Sequence, residues 1–238
     1  MTNFEIIRND GRLLYEYIRG SHLYGLNNEY SDVDTSGVYI CTKEELLGCF
    51  GYKPQVSDSR HDNTWFEIGE LVRLLLKSNP TVMESLFVPE DKIIGQVHPL
   101  MQMLIDHREE FISKQCFNPF FGYAKSQIEK AKRNPKRYES NLDKTYDSKN
   151  MMHCFRLMHM AAEIAEGKGM LLQRTWDKQF LMDVRNHKFE YDEIIERLEA
   201  DKEHMNRLME QSTIREKIDT DFVNQLMIEI RKKQLKIL

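Results

Sequence analysis

Apolar and polar positions along this 238-residue chain change their period near the middle. In the first half, short runs rich in β-branched and aromatic residues alternate with polar ones: "LYEYIRG" (Leu14 to Gly20), "VDTSGVYI" (Val33 to Ile40) and "NTWFEI" (Asn63 to Ile68). That is the signature of strands in one sheet. "ELVRLLLKS" (Glu70 to Ser78) has helical spacing and stops at Asn79-Pro80, where a new helix restarts with Asn79 as N-cap and Pro80 at its first position. After Lys114 the apolar spacing is helical almost throughout, with one long helix ended by Gly167 and Gly169. Two polar stretches, Gly51 to Asn63 and Arg133 to Asn150, read as connections. The pattern predicts an α+β chain: a small mixed β-sheet domain over residues 1–113, then an α-helical bundle domain over residues 114–238.

Composition narrows what such a chain does. With 41% hydrophobic residues it buries a substantial core, and a formal charge of −4 gives no global attraction for nucleic acid, so any polyanion contact is local. Cys41, Cys49, Cys116 and Cys154 lack CxxC spacing, which predicts reduced thiols rather than disulfides or structural zinc. Without a signal-like N-terminus or an apolar run of membrane-spanning length, the expectation is a soluble, cytoplasmic protein with no membrane partner. The oligomeric state is not readable from the sequence.

The chemistry concentrates in "YIRGSHLYGLNNEYSDVDTSGVYI", Tyr17 to Ile40. On a strand, residues two apart point to the same side, so Asp32 and Asp34 present two carboxylates to one patch while Val33 points into the core. Adjacent negative charges repel, and they persist where they are exposed, partly protonated or neutralised; hard oxygen donors of this kind select Mg²⁺ or Mn²⁺. Upstream, Gly20 permits close backbone approach and Ser21 offers a hydroxyl and an amide where anions are favoured. A phosphate cradle followed by an acid pair suits metal-assisted nucleotidyl transfer. An Asp-x-Asp by itself has a blander reading, a solvated acidic turn.

The spacing Gly20-Ser21, ten residues, Asp32-Val33-Asp34 resembles the signature of the DNA polymerase β-type nucleotidyltransferase superfamily. The longer strings "FEIGELVRLLLKSNPTVMESLF", "FFGYAKSQIEKA" and "KNMMHCFRLMHMAAEI" are similar to predicted nucleotidyltransferases of bacteria and large phages. The resemblance runs from Tyr17 to the C-terminal helices. It implies a third carboxylate from a neighbouring strand, a place that Glu67 in "TWFEI" fits, with Asp62 and Glu70 as alternatives. It also implies two cations, one held by all three acids to activate an acceptor hydroxyl and one held by Asp32 and Asp34 to grip an NTP. Attack on the α-phosphate would then release pyrophosphate. The acceptor stays open between RNA, a protein and a small molecule. The alternative is a catalytically inactive nucleotide-binding or interaction module of the same fold, such as one member of a toxin–antitoxin pair.

Two helical segments add candidates. In "KNMMHCFRLMHMAAEI", Lys149, His153, Arg156 and Glu163 fall at steps of four, three and seven on one face. The bland reading is a solvated face. The resemblance turns it toward substrate, with Lys149 and Arg156 meeting phosphates and His153 hydrogen-bonding; His159 reads as packing. In "FFGYAKSQIEKAKRNPKRY", the basic residues from Lys125 to Arg137 outnumber the acids and interleave with Tyr123 and Tyr138, a composition that suits RNA, against the alternative of a solvated helix whose Phe120 and Phe121 pack inward.

Overall fold

The computed structural model describes residues 2–58, 63–133 and 146–237, with the side chains of residues 127–133 outside the description. The chain forms two compact units, residues 1–111 with 218–238, and residues 112–217. The sequence-based division at residue 113 leaves the last helix with the helical part. The structure groups residues 218–238 with the sheet, because that helix supplies buried polar partners to it.

In the first unit, helix α1 (Asn3–Asn9) begins with a reciprocal Thr2–Glu5 capping box. Strand β1 (Leu13–Ile18), helix α2 (Ser21–Tyr24), strand β2 (Thr35–Tyr39), helix α3 (Lys43–Leu47), strands β3 (Gln55–Asp58) and β4 (Asn63–Glu67), and helices α4 (Ile68–Leu76), α5 (Pro80–Met83) and α6 (Pro99–Asp106) follow. The sheet order is β1-β2-β4-β3. β1 and β3 run antiparallel to their neighbours, while β2 and β4 are parallel, with Ser36 opposite Thr64 and Tyr39 opposite Glu67. Asn79 accepts from the Val82 amide and Pro80 opens α5, as the pattern predicts. Helix α4 buries Ile68, Leu71, Val72 and Leu75, its 3.6-residue stripe, against the sheet side. Gly37 is required in β2: a Cβ there would lie 2.8 Å from the Trp65 ring and from the Tyr15 carbonyl.

β3 lies within the stretch expected to be a connection. Only Val56 of its four residues is buried, so an edge strand of this kind leaves almost no apolar alternation to read.

The second unit contains α7 (Phe117–Arg133), α8 (Ser148–Ala165), α9 (Lys178–Arg185) and α10 (Tyr191–Gln211); α11 (Thr220–Ile237) belongs to the first. Helix α8 is the centre of the second unit, burying Met151, Met152, Cys154, Phe155, Leu157, Met160 and Ile164. Its methionines serve as adaptable packing. Cys41, Cys116 and Cys154 are buried thiols, Cys49 is exposed, and none is in a disulfide. Among the described residues no helix is long and apolar enough to cross a membrane.

Candidate active site

β1 and β2 are antiparallel, with Ile18 opposite Thr35, so the end of β1 meets the beginning of β2. The Arg19 amide continues the ladder by donating to the Asp34 carbonyl at 2.9 Å. That register brings the Gly20-Ser21 turn and the Asp32–Asp34 segment to the same sheet end. Gly20 adopts φ 69°, and a Cβ built on it would lie 3.2 Å from Asp34 Oδ2. The positive φ favours glycine, and a side chain there would also crowd the Asp34 carboxylate. Ser21 starts the four-residue α2, whose Tyr24 hydroxyl donates to the buried Glu84 carboxylate at 2.7 Å and pins the turn from behind.

Asp32 and Asp34 precede β2 rather than lying on it, Asp32 exposed and Asp34 half-buried. Val33 between them is 58% exposed, which corrects the expectation that it enters the core. Without strand pairing on both sides, nothing holds residue 33 over the apolar layer. The loop before the acids is ordered by Asn28, which accepts from the Tyr30 amide and the Ser31 hydroxyl, both at 3.0 Å. His22 contacts the Ser31 carbonyl at 3.2 Å.

Glu67 is placed differently from the sequence expectation. It is opposite Tyr39, five residues along from Asp34, which at a strand rise of ~3.3 Å per residue is about 16 Å away. Its side chain is fully buried, where it caps α4 by accepting from the Gly69 amide at 2.7 Å. It also takes two bonds from Arg231 at 2.7 and 2.8 Å. Of the alternatives, Glu70 pairs with Arg73 at 3.2 Å, and Asp62 lies outside the described residues. Sequence reasoning missed two residues at the Asp34 end of the sheet. Asn63 accepts from the Thr35 amide and hydroxyl, each at 3.1 Å, and Asp58 is cross-strand to Asn63. The signal for Asp58 was its place in a polar strand that the apolar pattern did not mark.

Two hard carboxylates leading into one strand, one of them exposed, suit a Mg²⁺ or Mn²⁺ ion in donor chemistry. Among the described residues no three His, Cys, Asp or Glu side chains gather closely enough to hold a metal.

In the helical unit, Lys149, His153 and Arg156 all lie on α8, with Lys149 exposed and Arg156 buried. Burial pushes the His153 imidazole down to about 3, and the charges of Arg156, Lys149 and Arg185 add to it. The Glu163 carboxylate leaves this group and pairs with Arg174. Instead of simply packing, His159 bonds Asp177 and Asp201. Of the basic segment, Lys125 is exposed, the side chains of Lys130, Lys132 and Arg133 are not described, and Lys136, Arg137 and Tyr138 lie outside the described residues. Of the two phenylalanines placed inward by the solvated-helix alternative, Phe120 is buried and Phe121 half-buried.

The sequence profile of a family described as "RlaP: RNA repair pathway DNA polymerase beta family" matches residues 2–236. No curated protein matches. A solved structure with which the chain overlaps is that of a nucleotidyltransferase-like protein from Exiguobacterium sibiricum 255-15. The overlap covers 88% of this chain and 72% of that one, at 10% identity and a TM-score of 0.30.

Proposed function

The chain belongs to the RNA repair pathway DNA polymerase β family, and from that premise we propose that it moves an NMP from an NTP to a hydroxyl, with an RNA end as acceptor. The observation that carries this reading is the seating of the Asp34 carboxylate against the α-carbon of Gly20. A glycine turn that admits a phosphate and a carboxylate pair that meets the same phosphate's counter-charge belong within a few ångströms of each other.

The roles follow from chemistry. The Gly20-Ser21 backbone and the Ser21 hydroxyl hold triphosphate oxygens. Asp32 and Asp34 hold divalent cation, whose chemistry is charge neutralisation at the triphosphate and acidification of the acceptor hydroxyl. That hydroxyl gives up its proton to solvent as its oxygen bonds to the α-phosphorus, the α–β phosphoanhydride bond breaks, and pyrophosphate leaves with the electron pair. With its carboxylate committed to Arg231, Glu67 supports the opposite sheet end, and the third acidic place passes to Asp62. In the helical unit, the exposed Lys149 and Lys125 meet RNA phosphates, while the buried Arg156 and the neutral His153 support that helix from within. The buried, unpaired thiols suit a reducing, cytoplasmic location.

One observation favours the second reading, a nucleotide-binding module without turnover: the carboxylate best placed in sequence to complete the acid set is bound to an arginine. Transfer of α-labelled nucleotide to RNA by the wild-type chain, absent from Asp32→Asn, separates the two. Metal-dependent NTP binding without any transfer to RNA, protein or metabolite acceptors would favour the module.

A further inference from the structure

The helical unit holds a cavity of about 380 Å³ whose wall includes Met158, His159, Glu163, Trp176, Asp201 and His204. Beneath it is a buried charge network. Arg174 makes two bonds of 2.8 Å to Glu163, and bonds of 3.0 and 2.8 Å to Asp177. His159 bridges Asp177 at 2.8 Å and Asp201 at 3.0 Å. Each ring nitrogen of His159 faces a carboxylate oxygen, which only accepts, so both donate and the ring is an imidazolium; these bonds raise its pKa against the opposing effect of burial. Two cations, Arg174 and His159, then face three carboxylates, Glu163, Asp177 and Asp201, a surplus of one negative charge. Asp201 is the most accessible of these carboxylates, its side chain 35% exposed while those of Glu163 and Asp177 are 3% and 0% exposed.

Over this network stands Trp176, 66% exposed yet fixed in orientation. Its indole N–H donates to Glu163 Oε1 at 2.6 Å, and its ring lies 4.9 Å from that of His159. An exposed aromatic ring already held on one side loses little freedom when something stacks on it. The wall therefore offers a preset stacking surface beside a carboxylate that accepts hydrogen bonds, in a volume suited to one small planar molecule.

A nucleobase is a planar ring with N–H donors on its edge. Guanine alone places two N–H donors, N1–H and the 2-amino group, side by side to match a carboxylate; the other bases set an acceptor next to each donor. A carboxylate has about four lone-pair sites, of which His159 occupies one on Asp201. We infer that this cavity binds a single nucleobase, stacked on Trp176 and read by Asp201, with preference for guanine. The site is built from residues of the helical unit alone and stands or falls separately from the Asp32–Asp34 reading.

The chain has two tryptophans, and Trp65 is 1% exposed, so ligand quenching of intrinsic fluorescence reports Trp176. The full chain is titrated in EDTA, which removes metal-dependent triphosphate binding, with GMP, AMP, CMP and UMP and with trinucleotide RNAs ending in each base. GMP should quench at concentrations about tenfold below UMP, the size of one bidentate base contact. Tighter binding of the G-ended RNA than of GMP assigns the base to an RNA end; equal binding assigns it to a free nucleotide. Asp201→Asn should abolish the guanine preference and keep the stacking, while Trp176→Ala, followed by calorimetry with circular dichroism as the folding control, should lose binding about tenfold or more. Should Trp176→Ala fail to fold, Trp176→Phe, which retains a stacking ring, and Asp201→Asn still decide. Equal quenching by all four nucleotides, no quenching, or quenching by spermidine but not by nucleotides would overturn the inference.

Discussion

Glu67 and Arg231 lie 164 residues apart in sequence and meet in two parallel hydrogen bonds of 2.7 and 2.8 Å. Arg231 also donates to Gln234 at 2.6 Å, and Gln234 donates to the Cys41 carbonyl at 2.8 Å, so α11 is bound to the ends of β2 and β4 by one polar cluster. Gly69 makes room for it, because a Cβ there would collide with the Arg231 guanidinium and lie 3.0 Å from Glu67 Oε2.

Removing one member leaves the other's charge buried. Arg231→Met should destabilise the first unit by about 3–5 kcal/mol, and the Glu67→Gln/Arg231→Met double variant should recover part of that loss. Urea unfolding followed by Trp65 fluorescence in a Trp176→Phe background isolates this unit. An Arg231→Met midpoint equal to wild type would refute the clamp.

Gly20→Ala tests the seating of Asp34. The new methyl group meets both a positive φ and Asp34 Oδ2, so NTP binding should weaken about tenfold or more, while unfolding should change by only about 1–2 kcal/mol. Isothermal titration with a non-hydrolysable NTP and Mg²⁺ gives the first quantity. Unchanged affinity would remove Gly20 from the phosphate cradle.

The acids separate by role. Asp32 is exposed, so Asp32→Asn should abolish transfer and leave thermal unfolding in metal-free buffer within about 0.5 kcal/mol of wild type. Asp58→Asn and Asp62→Asn, compared with Glu67→Gln, locate the third acid. The correct position loses kcat by about a hundredfold or more with its melting temperature intact, whereas Glu67→Gln should lower stability first.

Two histidines give stability opposite slopes in separate pH windows. His153 is held neutral, its folded pKa near 3 against an ordinary 6.5, so only the unfolded chain gains a proton as pH falls below 6.5. Stability should decline by up to about 1.4 kcal/mol per pH unit over that window. His159 is the reverse: its raised folded pKa contributes stability that is complete below 6.5 and lost as pH rises through the folded value. Denaturation of His153→Gln should show a flattened acid limb. An acid limb as steep as that of wild type would contradict the assignment.

Much of this was legible in the residues because it is local. The Gly20-Ser21 and Asp32–Asp34 spacing, the Asn79-Pro80 helix start and the α8 stripe each lie within a few turns or strand steps. What could not be read depends on register and distant chain. Glu67 has the right residue type beside the right apolar neighbours, and only the pairing of Tyr39 with Glu67 places it at the wrong end for Asp34. Its partner comes from α11, which no local pattern announces. His159 looked like one more packing histidine because Asp177 and Asp201 approach it from other segments.

The most direct test incubates the purified chain with each α-labelled NTP, Mg²⁺ or Mn²⁺, and RNAs with defined 3′ and 5′ ends, with Asp32→Asn alongside. Label joined to an RNA hydroxyl by wild type alone, with stoichiometric pyrophosphate, is the predicted result. Metal-dependent NTP binding with no label transferred to any acceptor, or equal transfer by Asp32→Asn, would contradict nucleotidyl transfer at this site.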